Sequence, residues 1–212
     1  KRWRRRAAMI IAVEGIDGAG KNTLVQALRR ERGADALAFP RYADSIHAQL
    51  AQQALHGKMG DLTDSAYGMA TMFALDRFGA RADIARYKGS DELVILDRYV
   101  ASNAAYSWAR TGDETVVEWV RELEFDRLGL PLPDLQVLVD TPPEVAQERA
   151  VQRAAQDASR ERDRYERDAQ LQRDTHSAYV SLAESGWVSP WIRTNDAGTI
   201  MQAVKDFYAK EP

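Results

Sequence analysis

Five short apolar runs punctuate this chain, and the segments between them read as helices. Met9-Ile-Ile-Ala-Val13, Ala36-Leu-Ala-Phe39, Leu93-Val-Ile-Leu-Asp97, Leu135-Gln-Val-Leu-Val-Asp140 and Trp191-Ile-Arg-Thr194 are runs rather than alternations, as expected of strands covered on both faces. A helix is predicted from about Asn22 to Arg32, ending near Gly33, and another over residues 43–57, ending at Gly57. Thr63 or Asp64 can cap a long helix running to about Lys88, with Ala66, Met69, Ala70 and Phe73 at core spacing. Val116, Trp119, Val120 and Leu123 mark a further amphipathic helix, stopped by Gly129, Pro131 and Pro133, and Asp196 caps a last one ending near Lys210. Strands alternating with helices give an α/β fold: a five-stranded parallel sheet flanked by helices on both faces.

Composition narrows the class. The chain has 212 residues, 45% of them hydrophobic, which suits one globular domain over residues 9–212. No apolar run approaches the roughly 20 residues of a membrane span, and no secretory signal pattern opens the chain. A soluble, cytoplasmic protein without a membrane partner is expected. The absence of cysteine excludes a disulfide framework and fits a reducing cytosol. His47, His56 and His176 show no metal-ligand spacing. The net charge is −3 although Lys1, Arg2, Arg4, Arg5 and Arg6 add five positive charges. The remainder is therefore distinctly acidic, which argues against nucleic acid as a partner. Residues 1–8 are taken as an upstream extension or a cloning remnant, a basic arm being the alternative.

The chemistry begins where the first run breaks. Gly15-Ile-Asp-Gly-Ala-Gly-Lys21-Asn22-Thr23 follows a strand and opens a helix, the context a phosphate-binding loop requires. Gly15 and Gly20 let backbone N–H groups turn towards an anion, the helix adds its positive end, and Lys21 supplies a mobile charge. A glycine-rich turn without ligand is the competing reading. Asn22 stands where a Ser or Thr usually holds Mg²⁺, Thr23 comes one residue late, and Asp17 is a carboxylate able to hold the metal or order its water.

Further candidates fall at other strand ends. Phe39-Pro-Arg-Tyr42 places a cation and a phenol where open α/β sheets bind ligands. Phe73 and Arg77 lie four apart on one helical face and suit a flat nucleobase, although taken alone the pair reads first as core plus surface. Asp97 ends a buried strand as a nucleotide-Mg²⁺ carboxylate does, through water. Arg98 follows, then Ser102, Asn103 and Tyr106 within two turns; Ser102 and Asn103 also read as helix caps. In the charged stretch 149–168, Asp163 with Arg167 and Arg164 with Asp168 are opposite pairs four apart. Arg149 and Arg153 instead put like charges on one face, which an anion would relieve. A mobile arginine lid that includes Arg160 is expected, a solvated helix being the alternative.

EGIDGAGKNT, FPRY at 39–42, ALDR at 74–77, ILDRYVASNAAY at 95–106, LGLPLPD at 128–134 and RDRYERD at 162–168 together make the chain resemble the bacterial thymidylate kinases, a P-loop nucleoside monophosphate kinase family. The resemblance implies transfer of the γ-phosphoryl of ATP to dTMP with Mg²⁺, usually by a homodimer. It implies ATP at residues 15–23 (Gly15, Ile16, Asp17, Gly18, Ala19, Gly20, Lys21, Asn22 and Thr23) and at Arg149. Phe73 would stack on thymine, Arg77 and Asn103 bind its edge, Arg98 and Tyr42 hold the acceptor phosphate, and Tyr106 lie near the sugar. Ser102, Asp163 and Tyr165 would complete the dTMP site, with Asp17 and Glu166 at the metal. Asp17, Lys21, Arg98, Arg153 and Arg160 would carry the catalysis. A kinase for another small acceptor and a nucleotide-dependent switch protein are the alternatives, but the guanine-reading Asn-Lys-x-Asp segment of GTP switches is absent.

Overall fold

A computed structural model of the chain describes residues 9–88, 90, 92–156 and 162–210. Its sheet is formed by β1 (Met9–Glu14), β2 (Asp35–Ala38), β3 (Leu93–Asp97), β4 (Leu135–Leu138) and β5 (Trp191–Arg193), all parallel, in the order β2-β3-β1-β4-β5. The apolar runs thus form the strands expected of them. β1 lies at the centre, and all six of its residues are buried.

The helices around the sheet are α1 (Lys21–Arg32), α2 (Ile46–Leu55), α3 (Ala66–Gly79), α4 (Arg81–Ala85), α5 (Val100–Thr111), α6 (Thr115–Arg121), α7 (Pro143–Gln156), α8 (Arg164–Arg167), α9 (Ala169–Ser185) and α10 (Ala197–Lys210). Several details differ from expectation. The long helix is capped by Ser65, whose Oγ accepts from the Gly68 N–H, while residues 62–64 form a 3₁₀ turn. It does not reach Lys88 unbroken: Ala80 leaves helical geometry between α3 and α4. Nor do Asp163 and Asp168 form the expected pairs along one helix. Each instead caps a helix, Asp163 accepting from the Glu166 N–H and Asp168 from the Leu171 N–H, while Arg164 reaches Asp64 at 3.0 Å. A carboxylate at a helix start satisfies N–H groups that have no partner within the helix, which outweighs an exposed ion pair.

The register aligns the functional edge. Val13 pairs with Asp97, Glu14 with Leu138, and Ala38 with Asp97, so the carboxyl ends of four strands finish on one rim. The chain runs out from β1 to β2, returns to β3, then crosses to β4 on the other side of β1. Such a switch point opens a crevice above the sheet.

The loop between β1 and α1 sits in that crevice and is clamped by α7. Gly18 has φ +82°, and a Cβ built there would lie 1.9 Å from the Ala146 carbonyl oxygen. Thr141 Oγ1 donates to the Ala19 carbonyl at 2.8 Å from the other side. Gly33 also has positive φ, at +61°, but open space around it. Gly18→Ala is therefore expected to cost about 2–4 kcal/mol, from strain plus displaced backbone, against about 1–2 kcal/mol for Gly33→Ala. Urea unfolding of the two variants measures the difference.

Candidate active site

Glu14 ends β1 as a fully buried carboxylate. Its oxygens accept from the Tyr99 N–H at 2.8 Å, the Ser102 hydroxyl at 2.6 Å and the Tyr179 hydroxyl at 3.3 Å. Burial pushes its carboxyl up, opposed by the Ser102 hydroxyl and by Arg98. Arg98 itself has φ +66°, in the left-handed region. Its guanidinium donates to Asp17 at 2.5 Å and to the Ser102 and Tyr179 hydroxyls at 3.4 Å.

Asp17 is the hub of the loop. Tyr106 donates to it at 2.9 Å, and Gln172 on α9 both accepts from its N–H and reaches its carboxylate. Burial alone would raise Asp17, but Arg98, Lys21 and the Tyr106 hydroxyl override it and hold the carboxyl at about 2. Lys21 is 8% exposed and donates to the Gly15 and Ile16 carbonyls, both at 2.9 Å. Burial and the nearby Arg98 lower its ammonium to about 8, against the pull of Asp17, Asp97 and Glu14.

Two clefts meet over this hub. One is lined by Tyr42, Phe73, Arg77, Ser102, Asn103, Tyr106, Asp163 and Tyr165, so the acceptor-site candidates gather there. The other is lined by residues 17–23 together with Asp97, Arg149, Arg153 and Asn195. Asp17, Phe39, Arg98 and Glu166 belong to both. Gly15 and Ile16 line neither and act through the carbonyls that hold Lys21. Arg160 lies outside the described residues, as do residues 1–8. Arg41 does not enter either cleft. Its N–H and Nε hold the buried Asp76, both at 3.0 Å, while Phe39, Pro40 and Tyr42 around it line the first cleft.

Across the first cleft Arg77 is buried in a two-pronged pair with Glu124, at 2.5 and 2.6 Å, and Asn103 donates to the same carboxylate at 2.7 Å. Glu166 has its carboxyl raised to about 7 by burial and by the negative Asp17 and Asp163 beside it. Sequence reasoning passed over Glu14, Glu124, Gln172 and Tyr179. For two of them a signal exists: Glu14 is a charge ending a wholly apolar strand, and Glu124 falls four residues after Val120, at core spacing. Gln172 and Tyr179 carry none, because they meet the loop only through the packing of α9.

Charge, loop and clefts together suit the handling of two anionic ligands. The sequence profile described as thymidylate kinase matches residues 13–206. The chain belongs to the thymidylate kinase family. It is 51% identical over 192 residues to a thymidylate kinase of Mycobacterium tuberculosis, covering 87% of this chain and 90% of the relative. It is 30% identical over 185 residues to a probable thymidylate kinase of Thermococcus onnurineus, covering 83% and 84%. Among solved structures, the fold resembles the thymidylate kinase of Candida albicans, with TM-score 0.69, 20% identity and 95% and 92% coverage. It also resembles a deoxyadenosine kinase of M. mycoides, with TM-score 0.63, 16% identity and 94% and 98% coverage. The five-stranded sheet and its loop are thus those of a P-loop kinase.

Lys21 is expected to set the alkaline behaviour of this kinase. Its cation is present below about pH 8 and lost above it, so kcat/KM for the phosphoryl donor should fall up to tenfold per unit as pH rises beyond 8. Lys21→Ala should lose at least about 100-fold in kcat with the fold intact, and the alkaline limb should disappear with it. A pH-rate profile with circular dichroism of the variant tests both.

Proposed function

We propose that the kinase transfers the γ-phosphoryl group of ATP to dTMP, giving dTDP and ADP, in a Mg²⁺-dependent reaction. The observation that carries this reading is the junction of the two clefts at Asp17, Arg98 and Glu166. A nucleotide lying on the loop and a monophosphate in the other cleft would bring their phosphates together there. The bond from γ-phosphorus to the bridging oxygen breaks as an acceptor phosphate oxygen bonds to phosphorus. That oxygen is already an anion at neutral pH, so no base is needed, and the work lies in positioning and charge neutralisation.

Each side chain has a place in this scheme. Lys21 and the N–H groups of residues 15–23 take the ATP phosphates, with Asn22 and Thr23 at the start of α1. Arg149 and Arg153 extend over the donor cleft from α7, where arginine charge offsets charge developing on the moving group. In the acceptor cleft Phe73 supplies a ring for stacking, Arg98 and Tyr42 take the phosphate, and Arg77 and Asn103 take the base edge. Tyr106, fixed on Asp17 at 2.9 Å, walls the sugar. The Tyr165 hydroxyl is buried without a partner among the described residues, which suits a hydrogen bond to the ligand, with Asp163 and Ser102 beside it.

For Mg²⁺ the donor set is the test. Asp17, Asp97 and Glu166 offer only oxygen, and Glu166 is raised to about 7 by burial and, after it, by the adjacent negative Asp17 and Asp163, a charge that a cation would relieve. Among the described residues no three such groups form a closed cage, and Mg²⁺ characteristically binds through one or two carboxylates, phosphates and water. When bound, the metal would neutralise phosphate charge and orient the donor.

ADP formation from ATP decides the reading, compared without acceptor and with dTMP, dUMP, dCMP, dGMP and thymidine, each with Mg²⁺ or with EDTA. dTMP should give the highest kcat/KM, with little turnover in its absence and none in EDTA. Preference for thymidine would refute the phosphate-acceptor assignment, and equal ATP consumption without acceptor would refute the kinase reaction. A homodimer is also proposed, supported by the exposed Tyr67 of α3 packed edge-on to Trp119 of α6 at 4.7 Å. Sedimentation at micromolar concentration should give twice the chain mass, and Tyr67→Glu should shift it towards monomer.

A further inference from the structure

Glu124 lies outside both clefts, yet it is fully buried and bonded to two residues that line the acceptor cleft. It stands on a π-helical stretch, Glu122–Arg127, that continues α6. A buried carboxylate persists only where its oxygens are paired. Here Oε2 accepts from Arg77 Nε at 2.5 Å, and Oε1 accepts from Arg77 Nη2 at 2.6 Å and from Asn103 Nδ2 at 2.7 Å. The same Asn103 nitrogen donates to the Ala70 carbonyl at 2.9 Å.

These bonds decide which atoms remain for a ligand. A carboxylate and a peptide carbonyl can only accept, so the Asn103 carboxamide must turn its nitrogen to both of them. The reversed amide would set an oxygen against two oxygens with no proton between. Asn103 therefore has both N–H groups engaged, and its Oδ1 is the atom left over. Arg77 keeps three N–H groups beyond those held by Glu124, and an arginine can only donate.

We infer that Glu124 is a positioning residue that sets the hydrogen-bonding polarity of the base site, fixing Arg77 as donor and Asn103 Oδ1 as acceptor so that a 4-keto pyrimidine is admitted and a 4-amino pyrimidine refused. This rests on the reading that the acceptor cleft takes a pyrimidine monophosphate. A thymine or uracil edge offers a carbonyl oxygen beside an N–H, the complement of that pair. A cytosine edge offers an amino group beside a bare ring nitrogen, so donor meets donor and acceptor meets acceptor. Polar mismatches in a buried site discriminate far more strongly than differences of shape. Glu124 touches no ligand; it acts through the two side chains it holds.

Glu124→Gln keeps the shape and replaces one acceptor oxygen by a donor. An amide oxygen at the Oε1 position keeps Arg77 Nη2 and Asn103 Nδ2 but sets the new NH₂ against Arg77 Nε–H. The reverse orientation sets it against Nη2 and Nδ2 and leaves the Asn103 carboxamide held by the Ala70 carbonyl alone, so either way the pair is less firmly oriented. Steady-state kinetics on wild type and variant with dTMP and dCMP, alongside equilibrium binding of each nucleotide without ATP and a thermal melt, provide the test. In the variant, KM for dTMP should rise and the dCMP-to-dTMP ratio of kcat/KM should increase at least tenfold, with KM for ATP within twofold of wild type. A purely structural role would lower both nucleotides by one common factor, and an unchanged ratio overturns the inference. If wild type itself shows no preference for dTMP over dCMP, the reading of the cleft fails and this inference with it. Should the variant not fold, hydrogen exchange of the Asn103 side-chain amide in the wild-type protein decides. Two protected protons are expected; rapid exchange of both overturns the proposal.

Discussion

The constraint on which this structure depends is the crowding of charge at the carboxyl end of β1. Glu14, Asp17, Lys21, Asp97 and Arg98 meet within a few residues of a strand that is otherwise wholly apolar. An interior tolerates such groups only when each is paired and hydrogen-bonded. Arg98 meets that demand from its left-handed backbone position, joining Asp17 to the hydroxyls around Glu14. The loop, α5 and α9 are thereby locked to one another through a few polar contacts, and the site is organised by side chains of the chain itself.

That arrangement also explains how one sheet edge serves two ligands. Asp17 faces both clefts, and its partners come from both sides: Lys21 from the start of α1, Arg98 from the turn between β3 and α5, Tyr106 from α5 and Gln172 from α9. Gln172 further accepts the Asp17 N–H while donating to the Tyr165 carbonyl at 3.0 Å. It therefore links the phosphate loop to the segment carrying Asp163, Tyr165 and Glu166. A displacement of that segment is felt at the loop through one side chain, a connection suited to a reaction that must exclude water.

The cleft lined by Phe73, Arg77 and Asn103 repeats the theme with different residues. A single buried carboxylate, Glu124, holds a guanidinium and a carboxamide from two residues that line the cavity. In both places a buried acid that lines neither cleft holds side chains that do, as supporting shells do in other binding sites.

The sequence by itself determined the strands, because continuous apolar runs bounded by turns have few alternatives once a sheet is covered on both faces. It also determined the phosphate loop, since glycine spacing and a lysine at a strand-to-helix junction are local features, and it supplied the family through several separate motifs. Phe73 and Arg77 were legible as one face of a helix for the same reason. Only the tertiary structure decided that Arg41 turns away to Asp76, that the long helix breaks at Ala80, that Asp163 and Asp168 cap helices, and which groups pair with the interior charges Glu14 and Glu124. Each of these depends on partners 35 or more residues distant, or on competition among several satisfied geometries. Periodicity reports which face of an element is buried; it does not report which polar group waits on the other side.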